Sequence, residues 1–113
     1  MELAAMPLTK GCGYVFHLPE KISARLRLPL IAAPMLRVSG VELVTAACGA
    51  GVIGAFPTAN ARTIDDLDSW LSRFDEVTSD GVAAPYCPNL IIRQPRLEDD
   101  LACLLRHNVT LAK

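Results

Sequence analysis

The residues of this chain most capable of chemistry are four cysteines and two histidines, and their spacing limits what they can do. The cysteines form no Cys-x-x-Cys pair, and we identify no histidine at metal-ligand spacing from any of them. Neither His17 nor His107 lies near a plausible nucleophile, and His107 is placed to interact with the dipole at a helix end. We therefore predict no metal site and no catalytic residue, and buried reduced thiols are favoured over disulfides. The four thiols are those of Cys12, Cys48, Cys87 and Cys103.

A glycine-rich segment at residues 49–54 satisfies the G-x-G-x-x-G pattern of dinucleotide-binding proteins. In those proteins the glycines follow a strand and open a helix, so that the pyrophosphate meets the helix N-terminus. Here they close a predicted helix and lead into a strand. We interpret them as a tight helix-to-strand turn, with Gly49 left-handed at the helix end and Gly51 and Gly54 allowing close packing.

Acidic residues gather at the predicted starts of the two longest helices, where the positive end of the helix dipole favours them. We interpret them as solvated charges rather than as a catalytic carboxylate pair; they are Asp65, Asp66, Asp68, Glu98, Asp99 and Asp100. Ser39 and Glu42 have the spacing of a capping box, and Thr63 is the predicted cap of the third helix.

The composition excludes several classes of protein. Hydrophobic residues make up 51% of the 113 residues and charged residues 20%, which is outside the range of disordered chains. A net charge of −1 and an aromatic content of 5% argue against a nucleic-acid partner. The longest charge-free stretch, residues 43–61, is interrupted by glycines and a proline, so we expect no membrane span. The N-terminus does not resemble a signal peptide, and we expect a cytoplasmic protein.

Apolar runs alternate with amphipathic segments along the chain, which predicts βα units and a parallel sheet. The strands are predicted at residues 30–33, 52–56 and 86–92, and the helices at 19–26, 43–48, 63–74 and 95–108. Residues 109–112 have the pattern of a fourth strand that is just beginning. We therefore expect residues 1–113 to form a single incomplete α/β domain, truncated within a sheet whose open edge favours self-association.

Ligands of parallel α/β proteins gather at the carboxyl ends of the strands. Ala33, Pro34 and Met35 follow the first predicted strand, and Asn89 is an isolated amide in the third. From the residues alone, a structural amide is favoured for Asn89, and Met35 is more typical of core packing than of ligand contact.

Three segments in the same order and spacing resemble the nitronate monooxygenase family, formerly called 2-nitropropane dioxygenases. The segments are LPLIAAPM, VSGVELVTAACGAGVIGAFPTANARTIDDLDSWL and PYCPNLII, and the resemblance covers the chain from about Leu26. It implies the N-terminal part of a (β/α)₈ barrel, with three βα units and the start of a fourth strand. It also implies an enzyme that holds FMN and oxidises alkyl nitronates with O₂ to a carbonyl compound and nitrite. A complete barrel takes about 250 residues, so this chain would supply under half of one.

The resemblance assigns roles to five residues. Ala33, Pro34 and Met35 match the segment whose backbone lies against the flavin, and Asn89 matches the asparagine that hydrogen-bonds FMN. Phe56 matches the end of the second strand near the cofactor. The Cys-Pro pair before Asn89 departs from the family pattern, and the family's catalytic histidine and phosphate-binding glycines have no counterpart here, so this fragment alone is expected to be inactive.

Two alternatives remain open at this point. The flavin-dependent enoyl-acyl carrier protein reductases resemble the same barrel and share the strand-end asparagine, although the segment GAFPTANART favours the monooxygenase. A non-catalytic α/β binding module of flavodoxin-like size would instead have a closed core and a final helix.

Overall fold

The computed structural model describes residues 18–112, in which three parallel strands alternate with helices and form an open sheet. The elements are α1 (Glu20–Ser23), β1 (Ile31–Ala32), α2 (Val41–Gly49), β2 (Ile53–Pro57), a 3₁₀ turn (Thr58–Asn60), α3 (Ile64–Thr78), β3 (Tyr86–Asn89) and α4 (Leu97–Arg106). The predicted parallel α/β fold with three βα units is confirmed. Cys12 and His17 lie outside the described residues.

The strands lie in the order β1-β2-β3, and both pairs are parallel. Ile31 pairs with Ile53 at one junction, and Pro57 pairs with Asn89 at the other. The predicted fourth strand is not formed, since residues 109–112 pair with no strand of the described sheet. Val109 packs against the buried side chains of the helices, and Leu111 packs against the cluster that contains Ile53. Burial of these two side chains accounts for the apolar pattern of residues 109–112.

Alternate strand residues divide the core between the two faces of the sheet. Phe56 and Tyr86 face α2, α3 and α4, whose buried side chains complete the larger cluster. Ile53, Ala55 and Cys87 face the other way, where Ile22 of α1 packs on them. The larger cluster also contains Val44, Cys48, Leu67, Leu71, Phe74, Cys103 and Leu104, with Trp70 partly buried at its margin. We call the side that carries α2, α3 and α4 the helix face, and the opposite side the free face.

Several predicted boundaries are wrong. The first helix ends at Ser23 rather than at residue 26, and α3 extends to Thr78 rather than ending at residue 74. The third strand ends at Asn89 rather than at Ile92, because Asn89 already pairs with Pro57, the last residue of β2, and no partner lies beyond it. The last helix begins at Leu97, two residues after Pro95, with Arg96 as its N-cap. Pro88 is accommodated with regular pairing to Phe56, in a strand at the edge of the described sheet, where proline is tolerated.

The helix-end signals gave mixed results. Thr63 caps α3 as predicted, since its hydroxyl accepts a hydrogen bond from the Asp66 N–H at 3.0 Å. The Ser39 capping box is wrong, because Gly40 is the N-cap of α2 and makes no side-chain capping bond. Gly49 is also not left-handed; the positive φ of 88° falls on Gly51. The glycine-rich segment nevertheless joins a helix to a strand, as predicted.

Three of the four cysteines fall within the described residues, and their predicted burial is confirmed. Cys48, Cys87 and Cys103 are all buried. Between residues 18 and 112, no helix combines the length and the apolar character required to cross a lipid bilayer.

At Gly54 the backbone of β2 packs tightly against α2, and this contact gives a first prediction. A Cβ atom at Gly54 would lie 2.8 Å from the backbone oxygen of Val44, whereas one at Gly49 would meet nothing within 4 Å. Gly54→Ala should therefore lower the free energy of unfolding by about 1–3 kcal/mol through overpacking. Gly49→Ala should raise it by about 0.5–1 kcal/mol, because alanine is the better helix former. Urea unfolding of both variants tests this, and effects of the same sign would contradict the packing described here.

Candidate functional site

The carboxyl ends of the three strands meet at one edge of the sheet, which we call the carboxyl edge. It consists of residues 33–35 after β1, Pro57 and Thr58 at the end of β2, and Asn89 at the end of β3. Four of the five predicted cofactor residues, Ala33, Pro34, Met35 and Asn89, follow or end strands at this edge. Their side chains are not enclosed by the described chain, since Ala33 and Met35 are exposed and Pro34 and Asn89 partly exposed.

Asn89 lies on the free face of the sheet, two residues after Cys87, which packs on that face. Among the described residues its side-chain amide has no hydrogen-bond partner, and it is partly exposed. An amide that is both available and fixed in a strand can offer a donor and an acceptor to a bound molecule. The position of Asn89 in the fold therefore supports a ligand contact more strongly than its residue type alone, from which a structural amide was favoured.

The segment after β1 is held rigidly by Ser39, which is 1% exposed. The Ser39 hydroxyl accepts a hydrogen bond from the Met35 N–H at 2.9 Å and donates one to the Ala33 carbonyl at 3.4 Å. The Met35 carbonyl in turn accepts the Ser39 N–H at 2.9 Å. The Met35 side chain is 44% exposed, so the backbone of residues 33–35 is fixed while an apolar side chain remains available.

Asn60 connects this segment to the turn after β2. Its side-chain N–H groups donate to the carbonyls of Met35 at 3.0 Å and Ser39 at 2.9 Å. Its side-chain oxygen accepts the N–H of Arg37, which has a positive φ of 65°. Sequence reasoning missed this residue, and its only signal was an amide in the short loop between a predicted strand and the next predicted helix.

Phe56 contributes to the carboxyl edge only through its backbone. Its side chain is fully buried in the helix-face cluster, with the ring centroid 5.1 Å from that of Phe74 and 5.9 Å from that of Trp70. Any contact of Phe56 with a cofactor at the edge must therefore come from main-chain atoms.

A buried polar network lies beside the carboxyl edge and joins it to α4. Asp100 is only 2% exposed, which corrects the interpretation of this acid as a solvated charge. It accepts a hydrogen bond from the Thr58 hydroxyl at 2.9 Å and one from Arg96 at 3.0 Å. Arg96 also donates to the carbonyls of Ala61 and Arg62, at 2.8 and 2.9 Å. The i,i+4 spacing of Arg96 and Asp100 was the available signal.

The five predicted cofactor residues supply apolar contacts, backbone groups and one amide. None has an ionisable side chain, so this set can bind and orient a ligand but cannot transfer a proton. An exposed methionine, a rigid backbone segment and an amide without a partner in residues 18–112 could contact a flat, largely apolar ring with polar edge atoms. No cation for the phosphate belongs to the set.

Two concavities among residues 18–112 lie away from this edge. An open depression of about 450 Å³ lies on the outer surface of α2 and α3, where Val41, Trp70, Arg73 and Glu76 are among its lining residues. A cavity of about 40 Å³ lies near the start of β3, beside Tyr86 and Asn108. Neither is lined by a predicted cofactor residue, so a ligand at the carboxyl edge would need further walls.

Comparison of the sequence with protein-family models and with curated proteins, and of the fold with solved structures, finds no match. The function must therefore be argued from the residues and their geometry.

Proposed function

We propose that this chain supplies the first three βα units of an FMN-dependent nitronate monooxygenase barrel. The observation that carries the proposal is the Asn89 amide at the carboxyl edge, which has no hydrogen-bond partner within residues 18–112 and lies at the same edge as the rigid segment of residues 33–35. When bound, FMN would supply the redox chemistry by which an alkyl nitronate and O₂ yield a carbonyl compound and nitrite. Asn89 would hydrogen-bond the flavin ring, and the backbone of residues 33–35 would lie against it.

The strand order supports a barrel over a flavodoxin-like module. In the flavodoxin order 2-1-3-4-5 the first strand lies between the second and third, whereas here β2 is central. The first half of a dinucleotide-binding fold shares the order found here, but it needs its glycines between a strand and the following helix. Here the glycine-rich segment lies between α2 and β2.

The two faces of the sheet support the same proposal. All three helices that follow strands pack on one face, as the outer layer of a barrel does. The free face carries Ile53, Ala55 and Cys87, side chains suited to a barrel interior. The edge strand β1 is apolar and exposed, since Leu30 just before it is 53% exposed and Ile31 within it is 54% exposed. Further strands of a barrel would cover this edge, and in the isolated chain a second copy would cover it instead.

The absence of an ionisable group from the predicted set is compatible with this reaction. An alkyl nitronate is already the deprotonated form of a nitroalkane, so its oxidation requires no base to remove the α-proton. The described residues would bind and orient the flavin and exclude water from one side of it. Deprotonation of a neutral nitroalkane would need a base from another part of the barrel.

Joining residues 1–113 to the downstream βα units of an established nitronate monooxygenase tests the proposal. The flavin-loaded barrel should release nitrite from an alkyl nitronate in air and should not need a reduced nicotinamide. If it instead oxidises a reduced nicotinamide and releases no nitrite, the enoyl-acyl carrier protein reductase alternative is favoured. A folded, flavin-loaded barrel with neither activity would contradict the proposal.

A further inference from the structure

A second group of reactive side chains lies between α3 and α4, in the helix layer. It consists of Asp68 and Asp75 of α3, Cys103 of α4 and His107, the C-cap of α4, and we call it the α3–α4 cluster. Cys103 and His107 are four residues apart and share a helix face, which corrects the sequence interpretation that no histidine has ligand spacing from a cysteine. The His107 ring also does more than face the helix dipole, because it contacts two carboxylates.

Three donor atoms of different chemistry converge in this cluster. Asp68 Oδ1, Cys103 Sγ and His107 Nε2 all lie within 4.8 Å of one another. Nε2 is 2.8 Å from Oδ1, and Sγ is 3.9 Å from the same oxygen. Ligands bound to a tetrahedral zinc ion at about 2.0–2.3 Å are themselves about 3.3–3.8 Å apart. The three atoms therefore need only small shifts to become ligands of one ion.

A second, independent contact orients the histidine as metal-binding histidines are oriented. His107 Nδ1 lies 2.9 Å from Asp75 Oδ2, and the Tyr86 hydroxyl donates to Asp75 Oδ1 at 2.6 Å. A carboxylate at Nδ1 keeps a proton on that nitrogen, so a metal ion can bind at Nε2 once the Nε2 proton, which the ring donates to Asp68 Oδ1 at 2.8 Å, is released. Nε2 is the ring atom that faces Asp68 and Cys103.

We propose that Asp68, Cys103 and His107 bind a zinc ion, with Asp75 as the carboxylate that positions the histidine. A thiolate, an imidazole and a carboxylate form a donor set that suits the borderline-soft Zn²⁺ ion. Cys103 is fully buried, whereas the Asp68 side chain is 49% exposed, so the ion enters from the Asp68 side. A water molecule from that side completes the fourth position.

Three features of the cluster oppose binding and limit its strength. Burial lowers the pKa of His107, but the hydrogen bonds of its ring to Asp68 and Asp75 outweigh this and raise the pKa, so the ion must displace the Nε2 proton to solvent. Burial raises the pKa of the Cys103 thiol, so the ion must displace a proton as the Zn–S bond forms, and that proton is released to solvent. The Arg106 guanidinium lies 3.6 Å from Asp68 Oδ1 and competes for that oxygen. Its side chain is 59% exposed, so it can turn into solvent when the ion binds.

Titration of the reduced 113-residue chain with Co²⁺, used as a spectroscopic substitute for zinc, tests the site. We expect one equivalent to bind with a thiolate-to-cobalt charge-transfer band, and Zn²⁺ to displace it. Cys103→Ala should abolish the band, whereas the matched Cys48→Ala, at another buried thiol, should retain it. Asp75→Asn should weaken binding by about 10–100-fold. Arg106→Gln, at an exposed position, should strengthen it.

The variants also distinguish a metal site from a purely structural contact between α3 and α4. Circular dichroism establishes which variants are folded, and Arg106→Gln and Asp75→Asn leave the buried thiol in place. A folded wild-type chain that shows no charge-transfer band with Co²⁺ would overturn the proposal, as would a band that persists in folded Cys103→Ala. This result would leave the flavin proposal unaffected, because the cluster lies on the helix face and Asn89 on the free face.

Discussion

Replacing Phe56 by alanine should lower the free energy of unfolding by about 3–5 kcal/mol. The Phe56 ring is fully buried on the central strand and lies in aromatic contact with Phe74 and Trp70. Removing it leaves a cavity where β2, α2 and α3 meet, and both the transfer energy and the aromatic contacts are lost. Since small domains are stable by only about 5–15 kcal/mol, this one change removes a large part of the total.

Urea unfolding followed by circular dichroism measures this loss. Phe56→Leu keeps most of the buried volume and should cost less than half as much. Leu105→Ala serves as a control for apolar truncation, since Leu105 is 69% exposed and its loss should have little effect. A loss at Phe56 no larger than the loss at Leu105 would contradict the assignment of Phe56 to the centre of the core.

The second large effect is expected at Asp100, whose removal should cost about 3 kcal/mol. Breaking a buried ion pair on one side typically costs about 3–5 kcal/mol, because the remaining partner stays buried without its counter-charge. The cost falls at the low end here because the Arg96 side chain is 23% exposed and keeps its hydrogen bonds to backbone carbonyls. The Thr58 hydroxyl, by contrast, loses its buried acceptor.

Asp99→Ala is the matched control for Asp100→Ala. Both acids lie in the first turn of α4, so both variants lose the same favourable interaction with the helix dipole, but Asp99 is exposed. The difference between the two variants isolates the buried network. A double-mutant cycle with Thr58→Val should show a coupling energy of about 1 kcal/mol or more. Equal stabilities of the two single variants would contradict a network that joins α4 to the carboxyl edge.

The elements predicted most accurately are those whose signals are local. α3 combines a capping threonine, acids in its first turn and an apolar stripe whose members Leu67, Leu71 and Phe74 are buried. The run of residues 52–56 predicted β2 to within one residue at either end. The alternation of these two types of segment was sufficient to predict a parallel sheet.

The failures share a physical cause, which is competition from hydrogen-bond partners that lie outside the helix whose local signal was used. The Asp100 carboxylate lies in a first helical turn, where a dipole role is the local expectation, yet its hydroxyl partner is 42 residues away. His107 contacts carboxylates 32 and 39 residues away. Ser39 was a good local cap, but its hydroxyl instead holds the segment after β1. Side chains with several possible partners are assigned correctly only when the fold is known.

The sequence could predict where the candidate site lies in the fold, but not the side-chain contacts that build it. Strand ends in a parallel sheet necessarily share an edge, so Met35 and Asn89 could be grouped from the sequence. The sequence did not show that Phe56 turns its ring away from that edge, or that Asn60 ties two of the loops together.

The central claim is that Asn89 forms part of a flavin site, and FMN affinity tests it most directly. The measurement uses the barrel completed with downstream βα units, as the wild type, Asn89→Ala and Asn108→Gly. Asn108 is a control at the other end of the sheet, and glycine tolerates its positive φ of 50°. We expect the wild type and Asn108→Gly to bind one FMN per chain with equal affinity. Asn89→Ala should bind about 5–150-fold more weakly, as expected for the loss of one buried polar contact. An Asn89→Ala barrel that binds FMN as tightly as the wild type would contradict the claim.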